Sequence, residues 1–135
     1  MPKARVLLVT KSEEGTERFV SSAKMHEEGD ARAFAFEEGG ARYIIRTGAP
    51  ARLIREGEIS YELVLDPLRE TQVLIRTGYG EIEAVVRVSR LTERRSFEET
   101  ELEAEYSLYY SGEEQKHRIK FSARSERDGG KGDKE

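Results

Sequence analysis

The stretch TQVLIRTGYGEIEAVVRV, residues Thr71 to Val88, decides how the rest of the chain reads. In its second half Ile82, Ala84, Val86 and Val88 form one row, and Glu81, Glu83 and Arg87 form the other. That period of two marks a strand with one face in a core. The first half, Gln72–Arg76, is rich in Val, Leu and Ile, and Thr77-Gly78-Tyr79-Gly80 supplies the turn between the halves. The stretch reads as a β-hairpin, and the chain on either side repeats the pattern.

Toward the N-terminus, Lys3–Lys11 reads as a strand with Val6 and Leu8 on one face and Arg5, Leu7 and Val9 on the other. Thr16–Glu27 reads as a longer strand, broken in its middle by the small residues Ser21, Ser22 and Ala23. Gly29-Asp30 turns it into Ala31–Glu38, where Ala31, Ala33 and Ala35 alternate with Arg32, Phe34 and Phe36. Gly39-Gly40 makes the next tight turn, into Ala41–Thr47. Ala51–Glu56 and Glu58–Asp66 form a further hairpin about Gly57, ended by Asp66-Pro67 because proline lacks the ladder donor. Beyond the central hairpin, Leu91–Thr100 is polar and reads as a loop or a single helical turn. Leu102–Tyr110 alternates cleanly, and Ile119, Phe121 and Ala123 share a face of Gln115–Arg124. From Ser125 the sequence SERDGGKGDKE has no apolar anchor, so residues 125–135 are expected to be a disordered charged tail on a single domain of residues 1–124.

Short strands joined by tight turns, with no helix of βαβ length, place the chain in the all-β class. Successive hairpins favour a single up-and-down antiparallel barrel of about 8–10 strands, closed or nearly closed, because closure removes exposed strand edges.

Composition narrows the function. Charged residues make up 37% of the chain in both signs, with a net charge of −4. That balance argues against general binding to nucleic acid or to an acidic membrane surface. The absence of cysteine excludes disulfides, thiolate metal sites and thiol nucleophiles. No signal peptide or membrane-length apolar run is evident, which points to the cytoplasm. There is no asparagine and there are two glutamines, a usage shared by heat-adapted proteins and by GC-rich genomes.

Motifs for chemistry are scarce. His26 and His117 stand on different strands without a metal-ligand spacing, and each reads as a surface or strand residue. Gly-x-Ser-x-Gly is absent, and the glycine pairs lack a following helix with Lys-Ser/Thr, so neither a nucleophile elbow nor a phosphate cradle is indicated. No catalytic residue, metal site or cofactor is assigned. The acidic run Glu98–Glu105 reads as a solvated strand face paired with arginines across the gap. Tyr43–Gly48 and Val73–Gly78 echo one another, which makes Arg46 and Arg76 either equivalent ligands or a mere recurrence of strand ends. Three polar residues share rows with apolar ones. Arg55 follows Ala51 and Leu53, Tyr61 precedes Leu63 and Leu65, and Tyr106 lies between Ala104 and Leu108. A guanidinium carried into a barrel needs an anionic partner, from the protein or from a ligand. Arg55, Tyr61 and Tyr106 are therefore the candidate ligand-binding residues, with a filled structural cluster as the alternative.

Several short motifs occur in a recognisable order: Phe36-Glu37-Glu38 closing a strand, Arg55-Glu56-Gly57, Thr71 ahead of Tyr79-Gly80-x-Ile82, and Tyr106 before Gly112. In this order the chain, over about residues 3–124, resembles the small bacterial proteins of the YwiB type, a domain-of-unknown-function family with a calycin-like (lipocalin-like) β-barrel. The resemblance implies a barrel and, since calycins often hold an apolar ligand inside, a ligand-binding role. The leading expectation is thus a barrel binding a small amphiphilic or carboxylate-bearing molecule. Next comes a filled barrel acting as an interaction module or homodimer through an exposed strand or Tyr109-Tyr110, and an enzyme ranks last.

Overall fold

A computed structural model describes residues 2–126. Ten strands follow one another: β1 (Lys3–Ser12), β2 (Gly15–Glu28), β3 (Ala31–Glu38), β4 (Ala41–Arg46), β5 (Ala51–Glu56), β6 (Tyr61–Leu65), β7 (Thr71–Thr77), β8 (Gly80–Arg95), β9 (Glu99–Tyr110) and β10 (Glu113–Glu126). They form one antiparallel sheet in the order β6-β5-β4-β3-β2-β1-β10-β9-β8-β7. Each strand therefore lies beside its neighbour in sequence, and β1 pairs with β10 from Lys3↔Glu126 to Ser12↔His117. The sheet curls until β6 and β7 meet. There Ser60 and Arg76 exchange two backbone bonds of 2.9 Å, and Thr71 Oγ1 donates to the Val64 carbonyl at 2.8 Å. The result is a nearly closed up-and-down barrel whose seam is one bridge instead of a ladder.

The turns after β1, β3, β5, β7 and β9 lie at one end, called upper here, and the described ends of the chain lie at the lower end. Gly39 and Gly40 take φ of 62° and 80° in the upper β3–β4 turn, a region costly for other residues. Inward rows from all ten strands meet in one continuous core. Phe34 and Phe121 are fully buried at its centre, ring centroids 5.2 Å apart, with Leu8, Leu65 and Val86 equally buried around them. Each such side chain contributes about 1.5–3 kcal/mol of burial free energy. Side chains thus pack the middle of the barrel.

Three sequence expectations change. Leu91–Arg95 is strand, because β8 carries a bulge between Val88 and Arg90. The extra residue, Ser89, shifts the inward row from even to odd numbers, so Leu91 packs on the core while Arg90 and Arg94 face glutamates of β9. β2 is unbroken, and its small residues mark where it parts from β3, since pairing with β3 runs only from Lys24↔Ala35 to Glu28↔Ala31. β10 runs on to Glu126, so Ser125 and Glu126 belong to the barrel, pairing with Ala4 and Lys3. The rest of the expected tail, residues 127–135, lies outside the described residues. Among the described residues no helix is long and apolar enough to cross a membrane.

Candidate functional site

At the upper end the inward rows finish in aromatic and polar residues. Arg55 is the last inward residue of β5, opposite Tyr43 of β4 and Tyr61 of β6. Its Nε donates to Tyr43 Oη at 3.2 Å, its Nη1 donates to the Ile59 carbonyl, and its Cζ lies 5.7 Å from the centre of the Tyr43 ring. Gly57 packs beside this arrangement. A Cβ there would sit 3.2 Å from Ala41 Cβ and 3.6 Å from Arg55 Nη1. The Arg55-Glu56-Gly57 motif is thus a cation followed by a small residue whose tight neighbour is Ala41.

Tyr43 is held between rings, stacked on Phe36 at 5.3 Å and tilted against Phe19 at 5.6 Å. Burial pushes the Tyr61 hydroxyl up to about 12, and neighbouring Tyr43 adds to this while Arg55 opposes it. Glu17 is close enough to raise it further. Burial also raises the Tyr106 hydroxyl, with Tyr61 contributing. Both phenols are therefore protonated donors at neutral pH. Tyr106 stacks on His117, its opposite residue on β10, with centroids 5.2 Å apart and planes 7° apart. Burial lowers the His117 pKa, partly offset by Glu14 and Glu13, and its Nε2 shares a hydrogen bond of 2.8 Å with Gln115 Oε1.

The structure thus gathers Arg55, Tyr61 and Tyr106 at one end of the barrel. It adds Tyr43, Phe19, Phe36 and His117, which sequence reasoning left out. The signal for His117 was present, since it continues the row of Ile119, Phe121 and Ala123. Arg55 forms none of the ion pairs among the described residues, and its described hydrogen bonds go to neutral groups.

The remaining candidates lie elsewhere. His26 is exposed beside Glu28. Arg46 and Arg76 face outward in separate pairs with Glu28 and Glu81, which fits recurrence. Glu99, Glu101 and Glu105 meet arginines across the strands. Tyr109 lies under Arg87, with Cζ 5.2 Å from the ring centre, and its hydroxyl donates to Glu114. Among the described residues no three His, Asp or Glu side chains converge as they would around a metal ion.

A second inward arginine, Arg32, sits at the lower end and is only 7% exposed. Its backbone N–H donates to Thr47 Oγ1 at 2.9 Å, and its Nη1 donates to Thr100 Oγ1 at 2.9 Å and to the Glu99 carbonyl at 3.4 Å. Its buried Nε has no hydrogen-bond partner among the described residues. Three hollows, of about 390, 400 and 560 Å³, open on the outer surface and are lined chiefly by outward-facing side chains.

Residues 8–121 match the family model described as a domain of unknown function, DUF1934. The ywiB protein from Bacillus subtilis has a similar solved structure, with a TM-score of 0.73 at 11% identity, covering 93% of this chain and 92% of that one. At that identity the likeness establishes the fold alone. No curated protein matches the chain. The chain belongs to the DUF1934 family.

Proposed function

We propose that this DUF1934 barrel binds a small carboxylate-bearing amphiphile at its upper end, against Arg55, Tyr61 and Tyr106. The observation behind this reading is Arg55 itself, a half-buried guanidinium resting on a phenol and a carbonyl, without a carboxylate among its described partners. A planar, partly desolvated cation of this kind takes a carboxylate side-on. Tyr61 and Tyr106 add hydroxyl donors, and Phe19, Ile75 and Val88 add partly buried apolar surface. The packed core keeps such a ligand at the mouth of the barrel, in contrast to the deep cavity of a hollow one. The cytoplasm is the compartment this reading assigns.

Native mass spectrometry of the freshly purified protein, followed by extraction and identification of bound molecules, tests the proposal. A stoichiometric carboxylic acid that is lost in folded Arg55→Ala supports it. A ligand-free mass with unchanged behaviour in Arg55→Ala sinks it. The continuous core favours a second reading, a filled barrel acting as an interaction module or homodimer, which would show as a stable ligand-free dimer in the same spectrum.

A further inference from the structure

The outer surface arranges charge in two ways. Across β8, β9 and β10 opposite charges face one another: Glu105 pairs with Arg90 and Arg118, Glu101 with Arg94, and Glu99 with Arg124. Across β1 like charges also meet, although Lys3 lies opposite Glu126 of β10 as well. Lys3 lies opposite Lys24 of β2, while Arg5 and Lys11 lie opposite Arg124 and Arg118 of β10. All six are exposed, and Lys3, Arg5, Lys11 and Lys24 form none of the ion pairs among the described residues. Like charges set directly opposite destabilise an antiparallel pair. A chain of net charge −4 nevertheless concentrates cations on this one face. Folding alone gives no reason for that, whereas an anionic partner does.

The same face ends at an open strand edge. β2 pairs with β1 from Gly15 to Lys24 but joins the β3 ladder only from Lys24 onward. The Ser21 Oγ still reaches the Glu37 carbonyl of β3 at 3.3 Å, and residues 15–20 have no strand paired on their other side. The two-residue turn that closes Ser12 against Gly15 sets the phase of the ladder. It turns the N–H and C=O of Thr16, Arg18 and Val20 away from β1, toward the open side. Their side chains lie on the outer, cationic face. Val20 is 55% exposed, beside a groove of about 390 Å³ that Arg5, Leu7, Arg18 and Arg124 also line, with Glu99 and Glu101 at its far side on β9. On the inner side of the edge lies Phe19, half-buried against Tyr43.

We propose that an acidic, extended segment of a partner protein adds to this edge of β2 as an eleventh strand. Its backbone would bond to Thr16, Arg18 and Val20. The period of two then defines its chemistry, with carboxylates outward toward Arg18 and the cations of β1, and apolar side chains inward toward Phe19. Strand addition takes its affinity from main-chain bonds and its selectivity from alternate side chains, and the cation field speeds encounter. A nucleic acid fits less well. The outer rows of β1, β2 and β10 contain no Phe, Tyr or Trp on which bases could stack, and a phosphate backbone makes no use of the open ladder. The proposal shares Phe19 with the Arg55 site, but its main-chain bonds and its charge contacts lie on the edge and outer face of β2.

Fluorescence anisotropy of a labelled short peptide of alternating Glu and Val, titrated with the full chain, tests it. Saturable binding is expected, weakening by roughly tenfold or more as salt is raised and in Arg18→Glu. Val20→Pro removes an edge N–H without touching the β1 ladder, and should also weaken binding by roughly tenfold or more. The same peptide N-methylated at alternate residues should fail to bind the parent protein, which probes the same main-chain bonds if Val20→Pro does not fold. The proposal is overturned if no peptide saturates, if the N-methylated peptide binds as well as its parent, or if a single-stranded oligonucleotide of equal charge binds more tightly.

Discussion

Two arginines point into the same barrel from opposite ends, and their surroundings make them different groups. Arg32 reaches from β3 across the lower end to Thr100 of β9. The strands between present Ala23, Ala4 and Ala123, all buried and too small to fill that end themselves. Its aliphatic stem takes the place of core, and the charge is carried along with one nitrogen unpartnered. Arg55 is half-buried, has its Cζ 5.7 Å from the centre of the Tyr43 ring and is anchored by neutral oxygens. The first closes an end and the second leaves a cation at the solvent boundary. An inward arginine is therefore read by what flanks it: alanines make it a plug, and tyrosines beside a glycine turn make it a candidate ligand group.

The largest expected effect breaks this comparison at Arg32. Arg32→Ala empties the lower end and should cost about 2–4 kcal/mol in denaturant unfolding. Arg32→Met keeps the bulk, removes a buried charge held only by neutral partners, and should fall within about 1 kcal/mol of the parent. If Arg32→Met proves as damaging as Arg32→Ala, the hydrogen bonds to Thr100 and Glu99 hold the lower end and the plug account fails.

A second prediction acts at the upper end through pH. The folded Tyr61 pKa, about 12, lies above its ordinary 10.0. A raised folded pKa means the stabilisation is complete below pH 10 and is lost as pH climbs toward 12. After discounting for solvent around a half-buried ring, the loss should be about 2 kcal/mol. Thermal melts across this window should show the parent losing stability that Tyr61→Phe keeps, and parallel curves would show that the phenol is not desolvated.

A third, smaller effect concerns the carboxylate reading. Glu17 contributes an unfavourable charge near Tyr61, so Glu17→Gln should tighten binding of a carboxylate ligand by roughly two- to fivefold at low salt. Weaker binding in Glu17→Gln would point to a cationic ligand.

Much of this was legible in the sequence. Alternation placed Arg55, Tyr61 and Tyr106 on inward rows, and chain reversal at each end brought all three to the upper mouth. Alternation also placed Arg32 in the row of Phe34 and Phe36, yet its burial depends on Thr100 across the barrel, a pairing no local pattern encodes. The bulge at Ser89 hid the second half of β8, because one inserted residue exchanges the two faces and a strand then looks irregular. The open edge of β2 was equally hidden, since small residues look the same whether a strand breaks or merely loses a neighbour.

The smallest effect is at His117, where the two ends can be told apart under mild acid. Burial against Tyr106 holds its pKa below the ordinary 6.5. A depressed folded pKa means its contribution is complete above pH 6.5 and is lost as pH falls through the folded value. His117→Phe keeps a ring on Tyr106 and removes the titration, so it should lie within about 1 kcal/mol of the parent at neutral pH. Its melting temperature should then fall less steeply than the parent's on acidification. Carboxylates elsewhere titrate in both proteins, so the difference between the two slopes isolates the imidazole. Equal slopes would mean that water reaches His117 freely, and the upper end would then be an open rim instead of a partly dry mouth.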